Sequence, residues 1–292
     1  MNNSNPSFTI VTTCFNSAEY IEQSIVSVLS QKGSFTLQYI IIDACSTDGT
    51  IDIINKYSDQ VGIIISEPDN GPAEALQKAF RLSTGDWLGW LNSDDVLLPG
   101  ALATVIEARI LAPHISWLTG SRIIIRKDGS FTKPDGLWYL DSVRRIMRDP
   151  LYLPQEATFF SRSFYFSVGG INPSLKSLFD YDLFARMYTV EHPLYVNAIL
   201  GAFRRVPNQI CYRVGLADND RLLIGTSQHG VKAILIRVKN RLMHTRLGPF
   251  FKFLILFFLK SRISKATTDM QVMDFDSAMD CWRIHQFRSW KP

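Results

Sequence analysis

Four short apolar segments recur within the first hundred residues, and they constrain the fold more than any other feature. Each has the length of a buried strand, and a turn or a helical pattern follows it. The predicted strands are 8–14, 37–43, 62–66 and 86–91. Strands that alternate with helices over short loops predict right-handed crossovers. The sequence therefore predicts an α/β fold with a mainly parallel sheet.

Helical patterns occupy the gaps between the predicted strands. Asn16-x-x-Glu19 resembles a capping box, and apolar residues follow it at helical spacing, so a helix is predicted there. Residues 73–82 and a segment around 180–188 also have helical patterns, whereas 121–125 has the pattern of a short strand. The alternation of strand and helix thus continues beyond the first hundred residues.

The composition fits a folded chain and excludes several other classes of protein. Of 292 residues, 46% are hydrophobic and 20% are charged, which excludes a disordered or fibrous chain. The four cysteines form no CxxC pair, and the five histidines are scattered. A disulfide scaffold or a zinc site is therefore not expected, and the cysteine pattern is typical of a reducing cytoplasm.

Neither a secretory leader nor a spanning helix is predicted from the sequence. The N-terminal segment has no basic region followed by an apolar one, and the chain has no run of about 18 uncharged apolar residues. The chain is therefore expected to stay on the cytoplasmic side of the membrane.

One segment, 231–265, concentrates the positive charge. It has nine basic residues and no acidic ones, although the net charge of the whole chain is +4. It also contains an almost wholly apolar stretch, 249–263, between basic ends. These features predict helices that contact a membrane surface. The alternative is packing within the protein or in a homodimer. Nucleic acid is not expected as a partner, because Leu, Ile and Phe are too frequent for a groove-reading helix.

Polar and acidic side chains stand at the carboxyl ends of the predicted strands. Ligands of open parallel sheets bind beyond this edge. The residues concerned are Thr13, Asn16, Asp43, Ser46, Asp48, Glu67, Asp69, Asn92, Asp94 and Asp95. Carboxylates that gather in this way are costly unless a cation or hydrogen-bond donors compensate for their charge. The edge therefore predicts a metal ion or a donor-rich ligand.

Two of these strand ends have more than one interpretation. In Trp90-Leu-Asn-Ser-Asp-Asp95 an apolar strand runs into adjacent carboxylates, which can bind Mg²⁺ or Mn²⁺ together with phosphate oxygens. The alternative is a turn with helix-capping acids. Asp43 ends another strand and could accept a hydrogen bond from a base or a ribose, and the alternative is ordinary turn chemistry. These residues alone leave both alternatives open.

Six segments together resemble the family 2 glycosyltransferases, which have the GT-A fold. They occur in the order of the family and extend from about residue 7 to residue 205: FTIVTTCFNSAEYIEQSIVSVLSQ, YIIIDACSTDGTIDII, ISEPDNGPAEALQKAF, TGDWLGWLNSDDVLLPGAL, PQEATFFSR and FDYDLFARM. Their joint occurrence is specific, although each segment alone is not. The resemblance implies a mixed, mainly parallel GT-A sheet and a nucleotide-sugar donor, most often a UDP-sugar.

The resemblance also implies which residues bind the donor. They are Thr13, Asn16, Asp43, Asp69, Asn92, Asp94 and Arg204. Asp43 would receive the uracil imide hydrogen, Arg204 would lie near the diphosphate, and Asp94 would hold Mn²⁺ or Mg²⁺. The sequence departs from the family at Asn92, where relatives have an aspartate, and this predicts weaker metal binding. Lys78 is expected to replace an arginine that many relatives have nearby.

The implied reaction is an inverting transfer of the hexosyltransferase type. An acceptor hydroxyl displaces the nucleotide diphosphate while a carboxylate takes its proton. The segment FDYDL resembles the base motif of the family, so Asp180 is predicted as the base, with Asp182 as the alternative. Gln155 and Glu156 are implied to line the acceptor side.

The motifs and the charge pattern together predict the domain organisation. Residues 1–217 are expected to form the GT-A catalytic domain, with a donor half at about 1–100 and an acceptor half at about 101–217. Residues 218–292 are expected to form a basic, partly apolar helical extension.

The implied biological role is surface polysaccharide assembly. The acceptor would be a saccharide or a lipid-linked saccharide, and the enzyme would be cytoplasmic and peripheral at the inner face of the cell membrane. One alternative is a catalytically inactive GT-A scaffold at the membrane, which Asn92 favours. Another is a sugar nucleotidyltransferase, which the lack of Gly and Lys in residues 13–17 disfavours.

Overall fold

The computed structural model describes residues 5–130, 153–206, 209, 220, 271–276 and 281–286. The strands are β1 Ser7–Cys14, β2 Thr36–Asp43, β3 Ile63–Ser66, β4 Trp87–Asn92, β5 Val96–Leu97, β6 Trp117–Ile125, β7 Thr158–Ser161, β8 Leu194–Arg204, β9 Gln271–Asp276 and β10 Cys281–Gln286. The helices are α1 Ile21–Leu29, α2 Thr50–Asn55, α3 Pro72–Arg81, α4 Ala101–Leu111, α5 Arg162–Ser167 and α6 Phe179–Val190, and a 3₁₀ turn covers Gln155–Ala157.

The strands form a single mixed sheet in the order β10-β9-β8-β6-β7-β4-β1-β2-β3, and β5 pairs with β8. The strands β3, β2, β1 and β4 are parallel, as are β6 with β8 and β8 with β9. The strand β7 is antiparallel to both of its neighbours, β4 and β6. The predicted α/β fold with a mainly parallel mixed sheet is therefore confirmed.

The four N-terminal strands agree with the sequence prediction to within one residue at each end. The prediction succeeds because these strands are nearly continuous apolar runs, as expected for strands that are buried on both faces. Successive residues of β2 pack on opposite faces of the sheet, and helices cover both faces. Tyr39 and Ile41 belong to the core that includes α1 and α4, whereas Ile40 and Ile42 belong to the core that includes α3 and α6. Each of these buried apolar side chains contributes about 1.5–3 kcal/mol.

The predicted capping box is wrong. The first helix begins at Ile21, its N-cap residue is Tyr20, and no side chain caps it. Asn16 instead has a left-handed backbone, with φ of 49°, and its side-chain oxygen accepts a hydrogen bond from the amide of Thr47. The capping pattern failed because Asn16 bonds to the neighbouring loop rather than to its own helix.

The prediction of a helical C-terminal extension is wrong for residues 271–276 and 281–286. Here the chain forms β9 and β10, and β9 extends the sheet in parallel with β8, with Tyr195 opposite Val272. Within β10, residues 282–285 alternate apolar and polar with a period of two, which favours a strand. The basic segment 231–265 lies outside the described residues. Within the described part of the chain, no helix has both the length and the apolarity needed to cross a membrane.

Candidate active site

The parallel register brings the predicted donor residues to one edge of the sheet. Thr13, near the end of β1, lies opposite Ile42 on one side and Asn92 on the other. The next position pairs Cys14 with Asp43. Because parallel strands in register end together, the polar residues that follow β1, β2 and β4 lie beside one another.

Asp43 is fully buried at the end of β2, and hydrogen-bond donors surround its carboxylate. The amide of Ser46 donates to Oδ2 at 3.0 Å, the hydroxyl of Ser66 donates to Oδ2 at 2.7 Å, and the hydroxyl of Ser46 donates to Oδ1. The thiol of Cys14 lies 3.6 Å from Oδ1, and burial together with Asp43 raises the pKa of that thiol. Asp43 thus fixes the loop after β2.

Two non-glycine residues at this edge have left-handed backbones, Asn16 with φ of 49° and Cys45 with φ of 57°. Such residues are uncommon and gather at functional sites. The amide of Asn16 donates to the hydroxyl of Ser46 at 2.8 Å, which ties the loop after β1 to the loop after β2. Cys45 is exposed. The two loops therefore form one structural unit.

Asp48 holds the far end of the same loop. Its carboxylate accepts hydrogen bonds from the amide of Ala18 at 3.0 Å and from the amide and hydroxyl of Thr50 at 3.1 and 2.5 Å. Desolvation acts to raise the pKa of Asp48, but these hydrogen bonds outweigh it and hold the pKa below its ordinary value.

Asp69 and Lys78 lie on the far side of the predicted donor site. Asp69 is half-buried, and its carboxylate accepts a hydrogen bond from the amide of Gly71 at 2.8 Å, just before α3. Lys78, in α3, forms an ion pair with Glu67. The predicted contact of Lys78 with phosphate would require it to leave Glu67.

Asn92 acts as a hydrogen-bond donor at the end of β4. Its amide nitrogen lies 3.1 Å from Asp95 Oδ2 and 3.0 Å from Gln155 Oε1. Gln155 in turn donates to the carbonyl of Trp90 at 2.5 Å. The departure from the family pattern at this position is therefore more than the loss of a charge, because the asparagine links two neighbouring acceptors.

The adjacent acids Asp94 and Asp95 have raised pKa values. For both, the main cause is desolvation, and the neighbouring charge of Asp94 adds to the effect on Asp95. Gln209 donates to Asp94 Oδ2 at 2.7 Å, and the amide of Arg204 donates to Asp95 Oδ1 at 2.9 Å. Asp95 is fully buried, whereas Asp94 is half-buried. Of these two acids, Asp94 is the one accessible to a ligand.

Arg204 is buried directly behind these acids. Its guanidinium donates to the carbonyls of Asp94 at 2.8 Å, Arg126 at 3.2 Å and Lys127 at 3.0 Å, and to Gln23 Oε1 at 2.6 Å. These contacts hold the backbone of the loop that carries Asp94. The contact with diphosphate predicted from the sequence stays a prediction, and this geometry favours a positioning role.

Asp180 is half-buried in the first turn of α6. Burial raises its pKa to about 6, although the amide of Tyr181, 2.7 Å from Oδ1, and the charge of Arg122 act in the opposite direction. The helix is fixed by Phe184, whose ring stacks on that of Trp90, with the centroids 5.7 Å apart. A carboxylate with a pKa near 6 is well suited to accept a proton at neutral pH.

Asp182, the alternative base, is engaged elsewhere. Its Oδ2 atom accepts hydrogen bonds from Arg186 Nε at 3.1 Å and Nη2 at 2.7 Å. Arg186 also donates to the carbonyls of Val168 and Gly170. Because this ion pair is largely buried, breaking it would leave a charge without its partner. The geometry therefore favours Asp180 over Asp182 as the base.

Glu156 interacts electrostatically with acids of both groups. It is buried, and its charge raises the pKa of both Asp95 and Asp180. Arg122 Nη1 lies 3.4 Å from its carboxylate. A side chain at Gly201 would place its Cβ 2.7 Å from both Cγ and the carbonyl oxygen of Glu156, so this close approach requires glycine.

Sequence reasoning missed Arg122 and Gln209. A basic residue that interrupts an apolar strand was the available signal for Arg122, which pairs with Glu156 and lies over the ring of Phe203. No signal in the sequence distinguishes Gln209, which reaches Asp94 from a position 115 residues further along the chain.

The donor set allows one kind of metal site. No group of three or more His, Cys, Asp or Glu residues among the described positions could enclose a metal ion. Mg²⁺ and related ions, however, are usually held by one or two carboxylates together with substrate phosphates and water. The half-buried carboxylate of Asp94 fits that mode of binding, in which the nucleotide supplies most of the oxygen ligands.

A family comparison agrees with this arrangement of strand-end acids. The model of glycosyl transferase family 2 matches residues 9–167, which is more than half of the chain. The chain belongs to glycosyl transferase family 2. The resemblance predicted from its motifs is thereby confirmed.

Two curated relatives come from bacterial polysaccharide synthesis. The chain is 29% identical over 154 residues to the putative teichuronic acid biosynthesis glycosyltransferase TuaG of Bacillus subtilis, a match that covers 50% of this chain and 61% of the relative. It is 27% identical over 217 residues to the chondroitin synthase of Pasteurella multocida, which covers 73% of this chain and 21% of that protein. The chain thus spans less than two thirds of the length of these relatives.

Solved structures show the same fold. S. aureus TarS in complex with UDP-GlcNAc superposes with a TM-score of 0.63 at 16% identity, over 90% of this chain and 80% of that one. The mannosyltransferase PcManGT from Pyrobaculum calidifontis, in complex with GDP-Man and Mn²⁺, gives a TM-score of 0.59 at 16% identity, over 90% and 79%. These similarities confirm the GT-A fold.

Proposed function

We propose that this chain is an inverting glycosyltransferase that moves a sugar from a nucleotide-sugar donor, most readily a UDP-sugar, to a saccharide or lipid-linked saccharide. The observation that carries this proposal is the pairing of two carboxylates with different surroundings. Asp94 lies at the strand end expected to receive the diphosphate and has a raised pKa, and burial raises the pKa of Asp180 to about 6.

In the proposed reaction the acceptor hydroxyl attacks the anomeric carbon, and the bond from that carbon to the diphosphate oxygen breaks. Asp180 accepts the hydroxyl proton as the new glycosidic bond forms. Asp94 would hold Mn²⁺ or Mg²⁺, and such an ion offsets the charge that develops on the leaving diphosphate. Thr13, Asn16, Asp43 and Asp69 are candidates to bind the base and ribose.

The acceptor side is proposed to include Gln155 and Glu156. Their place between β4 and α6 supports this assignment, because Gln155 contacts Asn92 and Glu156 acts on Asp180. The names of the curated relatives support a role in surface polysaccharide assembly. Four proposals rest on the sequence alone. They are a cytoplasmic, peripheral location at the inner face of the membrane, membrane contact through 231–265, a homodimer, and a domain boundary after residue 217.

Two other functions predict different behaviour. An inactive scaffold is favoured by Asn92, but the accessible Asp94 and the raised pKa of Asp180 are features of a working site. A sugar nucleotidyltransferase would consume a nucleoside triphosphate and a sugar phosphate, and the loop after β1 has no glycine or lysine for such phosphates.

The test is a panel of nucleotide sugars assayed for thermal stabilisation and for donor hydrolysis, with Mn²⁺ and with EDTA. A bound donor raises the unfolding temperature by an amount that depends on its affinity. We expect one UDP-sugar to stabilise and to be hydrolysed with Mn²⁺. In the Asp94→Ala variant we expect turnover to fall by about 10²–10³-fold, since a metal supplies several kcal/mol of charge stabilisation.

Full turnover in EDTA or in the Asp94→Ala variant would contradict the metal role. Stabilisation without any hydrolysis or transfer would indicate the scaffold. Release of pyrophosphate from a nucleoside triphosphate and a sugar phosphate would indicate the nucleotidyltransferase.

A further inference from the structure

The N-terminus of α6 lacks a cap from its own sequence. Its N-cap residue is Leu178, whose side chain cannot accept a hydrogen bond. The first helical hydrogen bond runs from the amide of Asp182 to the carbonyl of Leu178 at 3.0 Å. The amide of Tyr181, which precedes it, donates to Asp180 Oδ1 in the same turn at 2.7 Å. The backbone just before the helix is held by a residue from elsewhere in the chain.

Asp220, 42 to 44 residues further along the chain, holds the backbone that leads into the helix. Its carboxylate lies 3.0 Å from the amide of Lys176, 2.5 Å from the amide of Ser177 and 2.9 Å from the amide of Leu178. The hydroxyl of Ser177 adds a further contact at 3.1 Å. Asp220 is 1% exposed. A buried anion at a helix N-terminus is favoured by charge-assisted hydrogen bonds and by the helix dipole.

The same stretch of backbone also reaches the donor side. Lys176 Nζ donates to the carbonyl of Asn70 at 2.5 Å. Asn70 lies between Asp69 and Gly71, in the loop proposed to border the nucleotide. The backbone that Asp220 holds, 176–178, therefore leads into the helix of Asp180 on one side and contacts the donor loop on the other.

We propose that Asp220 is a positioning residue for the catalytic base. It holds the start of α6 so that Asp180 keeps its place beside Glu156. This inference rests on the proposed function, because it takes Asp180 as the base. It also gives a residue beyond 217, in the predicted C-terminal extension, a role in supporting the helix of the base.

The test uses the full-length chain with Asp220→Ala and Asp220→Asn. Alanine removes every acceptor, and we expect kcat to fall at least tenfold. Asparagine keeps one acceptor oxygen at the same distance from the backbone, so it should restore most of kcat. If the alanine variant does not fold, Asp220→Ser replaces it, because the serine hydroxyl keeps the position polar but is too short to reach all three amides, and kcat should again fall. An unchanged kcat in the serine variant would overturn the proposal.

The matched control is Ser161→Ala. Ser161 caps α5 by accepting a hydrogen bond from the amide of Phe164 at 3.3 Å, and α5 contains none of the proposed site residues. Loss of this cap should lower Tm by about 2–4 °C and leave kcat unchanged. If Asp220→Ala likewise lowers Tm but keeps the wild-type kcat, Asp220 contributes stability alone and the proposal is wrong.

A double variant separates this proposal from the proposed function. If Asp220 acts through Asp180, Asp220→Ala should cause little further loss of kcat once Asp180→Asn is present. Additive losses would overturn the positioning role while leaving the base intact. If Asp180→Asn alone keeps wild-type turnover, the base assignment is wrong, and the positioning proposal, which depends on it, is wrong as well. Because this variant is measured separately from Asp220→Ala, the two failures can be distinguished.

Discussion

The acid at the end of β2 differs from the acids that follow β4 in the hydrogen-bond donors around its carboxylate, although both strands are buried and parallel. Asp43 is surrounded by donors from Ser46, Ser66 and Cys14. Asp95 is equally buried, but it lies beside the like charge of Asp94, and its pKa is raised well above its ordinary value. Burial is therefore not what distinguishes the two strand ends; the difference is the number of donors that each carboxylate receives.

This difference indicates which acids are suited to binding the donor and which are suited to the chemical step. A carboxylate that donors hold in place has a fixed position and charge, which suits recognition of a base or a ribose. Carboxylates that lack such compensation, such as Asp94 and Asp180, suit a cation or a proton in transit. The comparison assigns recognition to the β2 side and chemistry to the side of β4 and α6.

The largest effect is expected at Asp180. Asp180→Asn should lower kcat by about 10²–10⁴-fold while donor affinity stays nearly unchanged. A base is active when deprotonated, and burial raises the pKa of Asp180 to about 6. Wild-type kcat/KM should therefore rise with pH through about 6 and then level off, and the variant should lose this rise. Steady-state rates from pH 5 to 8 check both statements.

The control for Asp180 is Asp182→Asn. Its carboxylate pairs with Arg186, so we expect a loss of stability of about 1–3 kcal/mol with kcat nearly unchanged. If Asp182→Asn instead shows the large loss of kcat and Asp180→Asn does not, the base lies two residues later in the helix and the comparison must be redrawn.

Much of the fold could be predicted from the sequence because it depends on local patterns. The strands of the N-terminal half are continuous apolar runs with clear ends, and their parallel register then brings Asp43 and Asn92 to one edge. The capping box failed because Asn16 bonds to Thr47, a contact between loops that no local pattern records. The strands at 271–276 and 281–286 were missed because the prediction extended the helical pattern of the basic segment over them.

Motifs in the sequence predict which residues belong to the candidate site, but not which contacts they make. Asp94 and Asp180 are candidates from motifs, whereas the contacts of Gln209 with Asp94 and of Asp220 with residues 176–178 join residues that are far apart in the sequence. The burial of Arg204 could not be predicted either, because a basic residue at a strand end can bind either a phosphate or a set of backbone carbonyls. Such partners follow from tertiary packing rather than from spacing.

A smaller effect is expected at Asp43. Asp43→Asn should raise the donor KM by about 10–100-fold, since a hydrogen bond to a charged group contributes about 1.5–3 kcal/mol. The kcat should change far less, because Asp43 is remote from the transferred proton. The matched control is Asp48→Asn, in the same loop but exposed. If both variants raise KM equally, Asp43 acts by holding the loop and not by recognition.

The smallest effect is expected from Asn92→Asp, which restores the aspartate typical of the family. The amide nitrogen of Asn92 donates to Asp95 and Gln155, so a carboxylate there would face two acceptors and lose both hydrogen bonds. We expect a loss of about 1–2 kcal/mol in the free energy of unfolding at pH 7.

The new carboxyl would have a folded-state pKa above its unfolded value. Its cost is therefore present above the unfolded pKa and fades as the pH falls through the folded value. Asn92→Ala is the control, because it removes the same hydrogen bonds without adding charge, and its cost should fade less in acid than that of the aspartate variant. Denaturant unfolding at pH 5 and pH 7 compares the two variants. If the aspartate variant is as stable as the wild type at pH 7, the acids after β4 are better compensated than their surroundings indicate, and the contrast with the β2 side is wrong.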